Sequence, residues 1–138
     1  MQLQEVETGR MSGVFSHEDF VTAYAIAPQG TILASCAART LGVEMLPTIT
    51  LWDTTTSMMI QTLVMSESVY NLQFSPDEKL LVAAVGNDLQ LWDPASGALL
   101  NTLSGHSDII LQLAISPDQH TIATAGLDNQ LFLWQIIE

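Results

Sequence analysis

The sequence predicts an all-β fold in which one four-stranded antiparallel unit is built three times, and three observations carry that prediction. The segments ITLWD at 49–53, LQLWD at 89–93 and LFLWQ at 131–135 end alike, which places Trp52, Trp92 and Trp134 at spacings of 40 and 42 residues. A second marker keeps nearly the same period: AIAPQGTILAS, QFSPDEKLLVA and AISPDQHTIAT set Pro28, Pro76 and Pro117 apart by 48 and 41 residues. Two independent markers with one period define a repeat. Within a unit, polarity alternates at every second residue, as in Leu89-Gln90-Leu91 and Leu111-Gln112-Leu113, the pattern of a strand with one face buried. No segment shows a helical period.

Taken in order, residues 1–9 read as the remnant of a preceding closing strand and its turn, with Gln4 and Glu5 where a Trp-Asp pair would stand. The first unit runs from about 10 to 53, the second from about 57 to 93 and the third from about 97 to 138. The second unit opens on an outer strand over 57–65, SMMIQTLVM. In the third, strands are expected over 98–103, 109–116, 120–125 and 130–135, and across the units Ser-Pro-Asp and Asn-Asp mark the turns. Four short antiparallel strands in about 40 residues is what a blade of a β-propeller requires. Three such blades are expected here, and they cannot close a ring alone, because a propeller takes about four to eight. The open edges are expected to pair with another chain that completes the propeller, or with a second copy head to tail, the different chain being preferred.

The same residues resemble the WD-repeat family over nearly the whole chain. Its pattern of a Gly-His dipeptide, a Ser-Pro-Asp turn, a hydroxyl residue in the third strand, a turn Asp and a closing Trp is matched best in the third unit, by Gly105-His106, Ser116 to Asp118, Thr124, Asp128 and Trp134. The resemblance implies that His106, Thr124, Asp128 and Trp134 form a hydrogen-bonded structural network that ties the loops of a blade together. It implies a partial network in the first unit, from His17, Ser35 and Trp52. In the second unit Glu67, Ala83 and Gly86 replace the polar partners, so none is expected there. The family also supplies a missing outer strand from the start of the propeller, which removes exposed edges.

Composition narrows the function. Three basic residues, Arg10, Arg39 and Lys79, stand against fifteen acidic ones, a formal net charge of -12. Such a surface repels phosphate backbones and anionic headgroups, so neither nucleic acid nor a membrane is an expected partner. Apolar residues make up 48% of the chain, which is a core-forming composition. One cysteine, Cys36, leaves no intrachain disulfide and no multi-thiolate site, and the N-terminus shows no basic region followed by an apolar core. A reducing, cytoplasmic setting is expected.

The candidate chemistry resolves into ordinary structure. His106 and Asp128 beside a hydroxyl have the residue types of a nucleophile, base and orienting acid, yet they occupy the positions of the repeat's own network. Histidines are scattered, acidic residues lie singly at turns and glycines are dispersed, so no catalytic residue, metal or cofactor is expected. Two features remain. The connection AARTLGVEMLP is about seven residues longer than its counterparts and carries Arg39, Leu41, Val43, Glu44, Met45 and Leu46; insertions of this kind map to loops on one face, often the binding face. The apolar outer strand offers Met58 and Met59 as further contacts. The expected function is a non-catalytic protein-binding scaffold or assembly module. The alternative is the C-terminal part of a regulatory or sensor propeller attached to, or paired with, a signalling or enzymatic chain.

Overall fold

The computed structural model describes residues 2–4, 11–15, 21–37 and 47–136, and every regular element among them is a strand. An antiparallel pair is formed by β1 (Gln2–Gln4) and β2 (Met11–Val14). The first four-stranded sheet contains β3 (Val21–Ile26), β4 (Ile32–Ala37), β5 (Thr48–Asp53) and β6 (Met59–Val64) in chain order. The second repeats that order with β7 (Val69–Phe74), β8 (Leu81–Val85), β9 (Asp88–Asp93) and β10 (Ala98–Ser104). The third has three strands, β11 (Ile110–Ile115), β12 (Thr121–Gly126) and β13 (Leu131–Gln135). All neighbouring strands run antiparallel. The sheets have the architecture of propeller blades and do not close into a ring.

In the third unit each observed strand end lies within one residue of the sequence reading. The sheets are offset from the sequence units by one strand, however, because the first strand of the second unit, β6, pairs with β5 and completes the first sheet. Likewise β10 completes the second. Successive units are thereby interlocked through backbone hydrogen bonds as well as through packing.

The sheets meet along their inner strands, with β7 lying against both β3 and β11. Two apolar cores result. Ala23, Ala25, Ala34, Cys36, Ile49 and Leu51 of the first sheet pack against Val69, Leu72, Phe74, Leu81, Ala83 and Val85 of the second. Val82, Ala84 and Leu89 on the opposite face of the second sheet pack against Ile110, Leu113 and Ile122 of the third. Strand β8, LVAAV, is apolar at every position because alternate residues serve the two cores.

Turns are set by short polar side chains. Ser75 Oγ donates to Asp77 Oδ1 at 2.6 Å, and Asp77 accepts the Lys79 N–H at 3.0 Å. The same arrangement recurs at Ser116, Asp118 and His120. At the turns after β5 and β9, Asp53 accepts the Thr55 and Thr56 N–H groups, and Asp93 accepts from Ala95 and Ser96. The Asp77 N–H also donates to Gln119 Oε1 at 2.7 Å, a polar tie between neighbouring sheets.

Candidate functional site

The third sheet brings His106, Thr124, Asp128 and Trp134 together. His106 enters from the connection between β10 and β11, Thr124 from the middle of β12, Asp128 from the β12–β13 turn and Trp134 from β13. Trp134 Nε1 donates to Thr124 Oγ1 at 2.9 Å, and Thr124 Oγ1 lies 2.8 Å from His106 Nε2. His106 Nδ1 sits 2.9 Å from Asp128 Oδ2 and 3.1 Å from Oδ1. An ionised carboxylate only accepts, so the consistent assignment puts the ring proton on Nδ1 and leaves Nε2 to accept from the Thr124 hydroxyl. Proton donation then runs in one direction from indole to hydroxyl to imidazole to carboxylate.

Burial opposes the charge on Asp128, but hydrogen bonds from the Gln130 and Ser107 N–H groups, both at 3.0 Å, and from His106 outweigh it and hold the carboxyl below its ordinary range. The imidazole also stacks on Phe132 at 4.1 Å between ring centres, and Phe132 meets Trp134 edge-on at 5.8 Å. Gly126 makes this closeness possible. A Cβ there would come within 3.0 Å of both Asp128 Oδ1 and His106 Nδ1.

This set does not have the geometry of a nucleophile and its base. Thr124 is 1% exposed, and its oxygen already accepts the Trp134 N–H while donating to His106, so no substrate carbonyl could reach it. Among the described residues no three His, Cys, Asp or Glu side chains are placed to hold a metal ion. Burial pushes the Cys36 thiol up to about 11, against a smaller lowering by Thr22, so the thiolate is scarce at neutral pH.

The other two tryptophans find different partners. Trp52 Nε1 donates to Ser35 Oγ at 2.9 Å in the first sheet, and its ring meets Phe15 edge-on at 5.3 Å. His17, expected to join them, lies outside the described residues. In the second sheet, where no such network is expected, Trp92 Nε1 donates to a partner outside the repeat's pattern, Gln90 Oε1, at 3.1 Å within the core. Gln90 and Phe132 both stand two residues before a tryptophan and share its face of the strand. That period-two relation was available in the sequence.

Of the candidate partner contacts, Arg39, Leu41, Val43, Glu44, Met45 and Leu46 lie outside the described residues. Met58 and Met59 are well exposed on the outer rim, beside Ile60 and Val64. Two further apolar faces carry no signal of their own in the sequence. Leu131 and Leu133 on β13 are 70% and 68% exposed, whereas Ile49, Leu51 and Leu89, at the matching positions of β5 and β9, are buried against the next sheet. Tyr24 and Ile26 on β3 are 64% and 50% exposed, whereas Leu72 and Phe74, their counterparts on β7, are buried against the sheet before.

A family model described as "WD domain, G-beta repeat" matches residues 59–93 and 97–135, more than half of the chain. The chain belongs to the WD-repeat family. Among curated WD-repeat relatives it is 35% identical over 91 residues to the anaphase-promoting complex subunit cdh1 of Dictyostelium discoideum, an alignment covering 64% of this chain and 12% of that protein. To mouse WD repeat-containing protein 3 it is 26% identical over 131 residues, 95% of this chain and 13% of the relative. A mouse intraflagellar transport protein 122 homolog is 34% identical over 68 residues, 49% of this chain and 6% of its own length. The chain thus spans about an eighth or less of these relatives. WD repeats form protein-interaction domains, and among the described residues no helix is long and apolar enough to cross a membrane.

Proposed function

We propose that this chain is a non-catalytic, cytoplasmic WD-repeat assembly module whose uncovered faces are completed by blades of another polypeptide. The observation that carries this reading is the exposure of Tyr24, Ile26, Leu131 and Leu133 at positions that are buried or partly buried wherever a neighbouring sheet is present. A buried leucine or isoleucine contributes about 1.5–3 kcal/mol relative to an exposed one, so covering both faces supplies a substantial driving force. A lone, buried, free Cys36 suits a reducing compartment.

Strand pairing favours a different polypeptide over a second copy. Phe15 follows β2 as Met65 follows β6, and both side chains are fully buried, so β2 corresponds to an outer strand. Its inner neighbour is already β1. A second copy could offer its β13 to β2 only by displacing β1. Repeat limits at about 10–53, 57–93 and 97–138 fit this arrangement. The side-chain chain from Trp134 to Asp128 serves as a structural tie for the third blade, Ser35 and Trp52, with His17, do so for the first, and the segment from Arg39 to Leu46 together with Met58 and Met59 contacts the partner.

Native mass spectrometry and thermal melting of the full chain at low micromolar concentration test the reading. Without its partner the chain should associate heterogeneously, and Leu131→Glu with Leu133→Glu should suppress that association. A cooperatively melting species of single-chain mass, or a well-defined homodimer, overturns it.

A further inference from the structure

Over the end of the second sheet where β8 turns into β9, flanked by Pro47 of the first sheet and Ile109 of the third, lies an open cleft of about 240 Å³. Glu67, Tyr70, Pro47, Gly86 and Ile109 line it, together with Ser66 and Ser68. It is smaller than the roughly 300–1,000 Å³ of a site for a drug-sized ligand, and it has the scale of one long side chain.

The floor of the cleft is a departure from the repeat. In the third sheet the β12–β13 turn carries Asp128, and over Gly126 an acid and an imidazole, Asp128 and His106, are paired at 2.9 Å. In the second sheet the β8–β9 hairpin is closed by Gly86 and Asn87 alone, so no acid comes from that turn. The Glu67 carboxylate comes instead from the connection before β7, over a glycine that answers to Leu127 of the third sheet and not to Gly126. It lies directly over Gly86, whose φ of +58° and missing Cβ both admit it, since a Cβ there would collide with Glu67 Oε2.

Glu67 thus presents an acid with no nitrogen base beside it among the described residues. Among the described residues Glu67 has no hydrogen-bond or ion-pair partner. Lys79, the one lysine or arginine among them, sits at the far end of β8 from Gly86. Elsewhere the chain offers a net charge of -12, which draws cations toward any concave acidic site. Tyr70 supplies an aromatic wall, and Pro47 and Ile109 supply apolar surface suited to an aliphatic stem.

We infer that the Glu67–Tyr70 cleft receives a cationic side chain, a lysine ammonium or arginine guanidinium, projected by a basic protein partner. This goes beyond completion of the propeller and depends on none of the residues that carry that reading. The test is an NMR titration of the ¹⁵N-labelled full chain with N-acetyl-arginine-N′-methylamide, with the neutral citrulline analogue as control. Saturable shifts are expected at the Ser68, Gly86 and Ile109 amides, with the citrulline probe silent. Glu67→Gln should weaken binding about tenfold or more while its spectrum stays dispersed, and Glu78→Gln should leave it unchanged. Shifts spread evenly over the acidic surface, equal binding of citrulline, or full affinity in Glu67→Gln would each overturn the inference, leaving the exposed Leu131 and Tyr24 faces to their own test.

Discussion

Replacing Thr124 with valine removes one oxygen while nearly keeping the volume of the side chain, and so isolates the hydrogen-bonded chain of the third blade from its packing. Two polar groups lose their partner: His106 Nε2, in a buried ring, and the half-buried Trp134 indole N–H. A buried polar group left unpaired costs about 1–3 kcal/mol. Water reaches Trp134 in part, which puts it at the low end, and His106 belongs at the high end. Together they amount to about 3–4 kcal/mol, from which about 1 kcal/mol is subtracted because a hydroxyl no longer has to be desolvated. The net loss is about 2–3 kcal/mol. For a chain of this length each kcal/mol lowers Tm by about 4 °C, so the variant should melt about 8–12 °C below the parent. Differential scanning calorimetry measures this on the full chain carrying Leu131→Glu and Leu133→Glu, the background that suppresses its association and serves as parent here and in the measurements below, with Thr124→Ser alongside. Serine keeps the oxygen and gives up one methyl group, worth about 1 kcal/mol. A valine variant as stable as the parent, or a serine variant as damaged as the valine one, would show that the hydroxyl ties nothing together.

The second blade makes a parallel prediction: Gln90→Leu strips the acceptor from the buried Trp92 indole and should lower stability by about 1–2 kcal/mol in urea unfolding, with an unchanged midpoint as the contrary result. Acid sensitivity provides another test. The Asp118 carboxyl is held below its ordinary range by the Ser116 hydroxyl first and the His120 N–H next, so its stabilisation is present above the unfolded pKa of about 4 and is lost as pH falls through the lower folded value. The gap in Tm between parent and Ser116→Ala should therefore be widest at neutral pH and shrink below about pH 4, and a gap independent of pH would contradict this.

How far the fold was legible depended on what each residue needed to know about its surroundings. Strands such as β11 and β12 are bounded by local chemistry, Ser116 to Asp118 on one side and the Asp128-Asn129 turn on the other, and the amino-acid sequence alone places them. The third blade's side-chain chain was legible for the same reason, because all four residue types stand at their expected positions. Gln90 escapes a comparison of matching places in the repeat because it lies on the tryptophan's own strand face, where period-two geometry puts residue i−2. Tyr24 and Leu131 illustrate a different obstacle. Their residue types are those of core positions, and only the presence or absence of a neighbouring sheet decides whether they are buried. Sequence pattern reports the face a side chain takes, not what lies against that face.

The three tryptophans together show what the repeat holds constant and what it lets go. Each indole N–H is carried into a largely apolar seam and must be given an acceptor there, since leaving it unpaired costs more than any one van der Waals contact nearby can offset. The acceptor is free to move: Ser35 on the neighbouring strand in the first blade, Thr124 on the neighbouring strand in the third, Gln90 on the tryptophan's own strand in the second. When Gln90 takes that duty, Ala83, which pairs with it across β8 and β9, no longer has to carry a hydroxyl. With no hydroxyl there, an imidazole in the preceding connection would have nothing to bond on its inner side. The histidine and the turn aspartate of the third blade are then both dispensable in the second. The hairpin contracts to Gly86 and Asn87, and Glu67 comes to rest over the glycine with its carboxylate directed outward into an open cleft. The open acidic cleft thus accompanies an acceptor carried on the tryptophan's own strand instead of the neighbouring one.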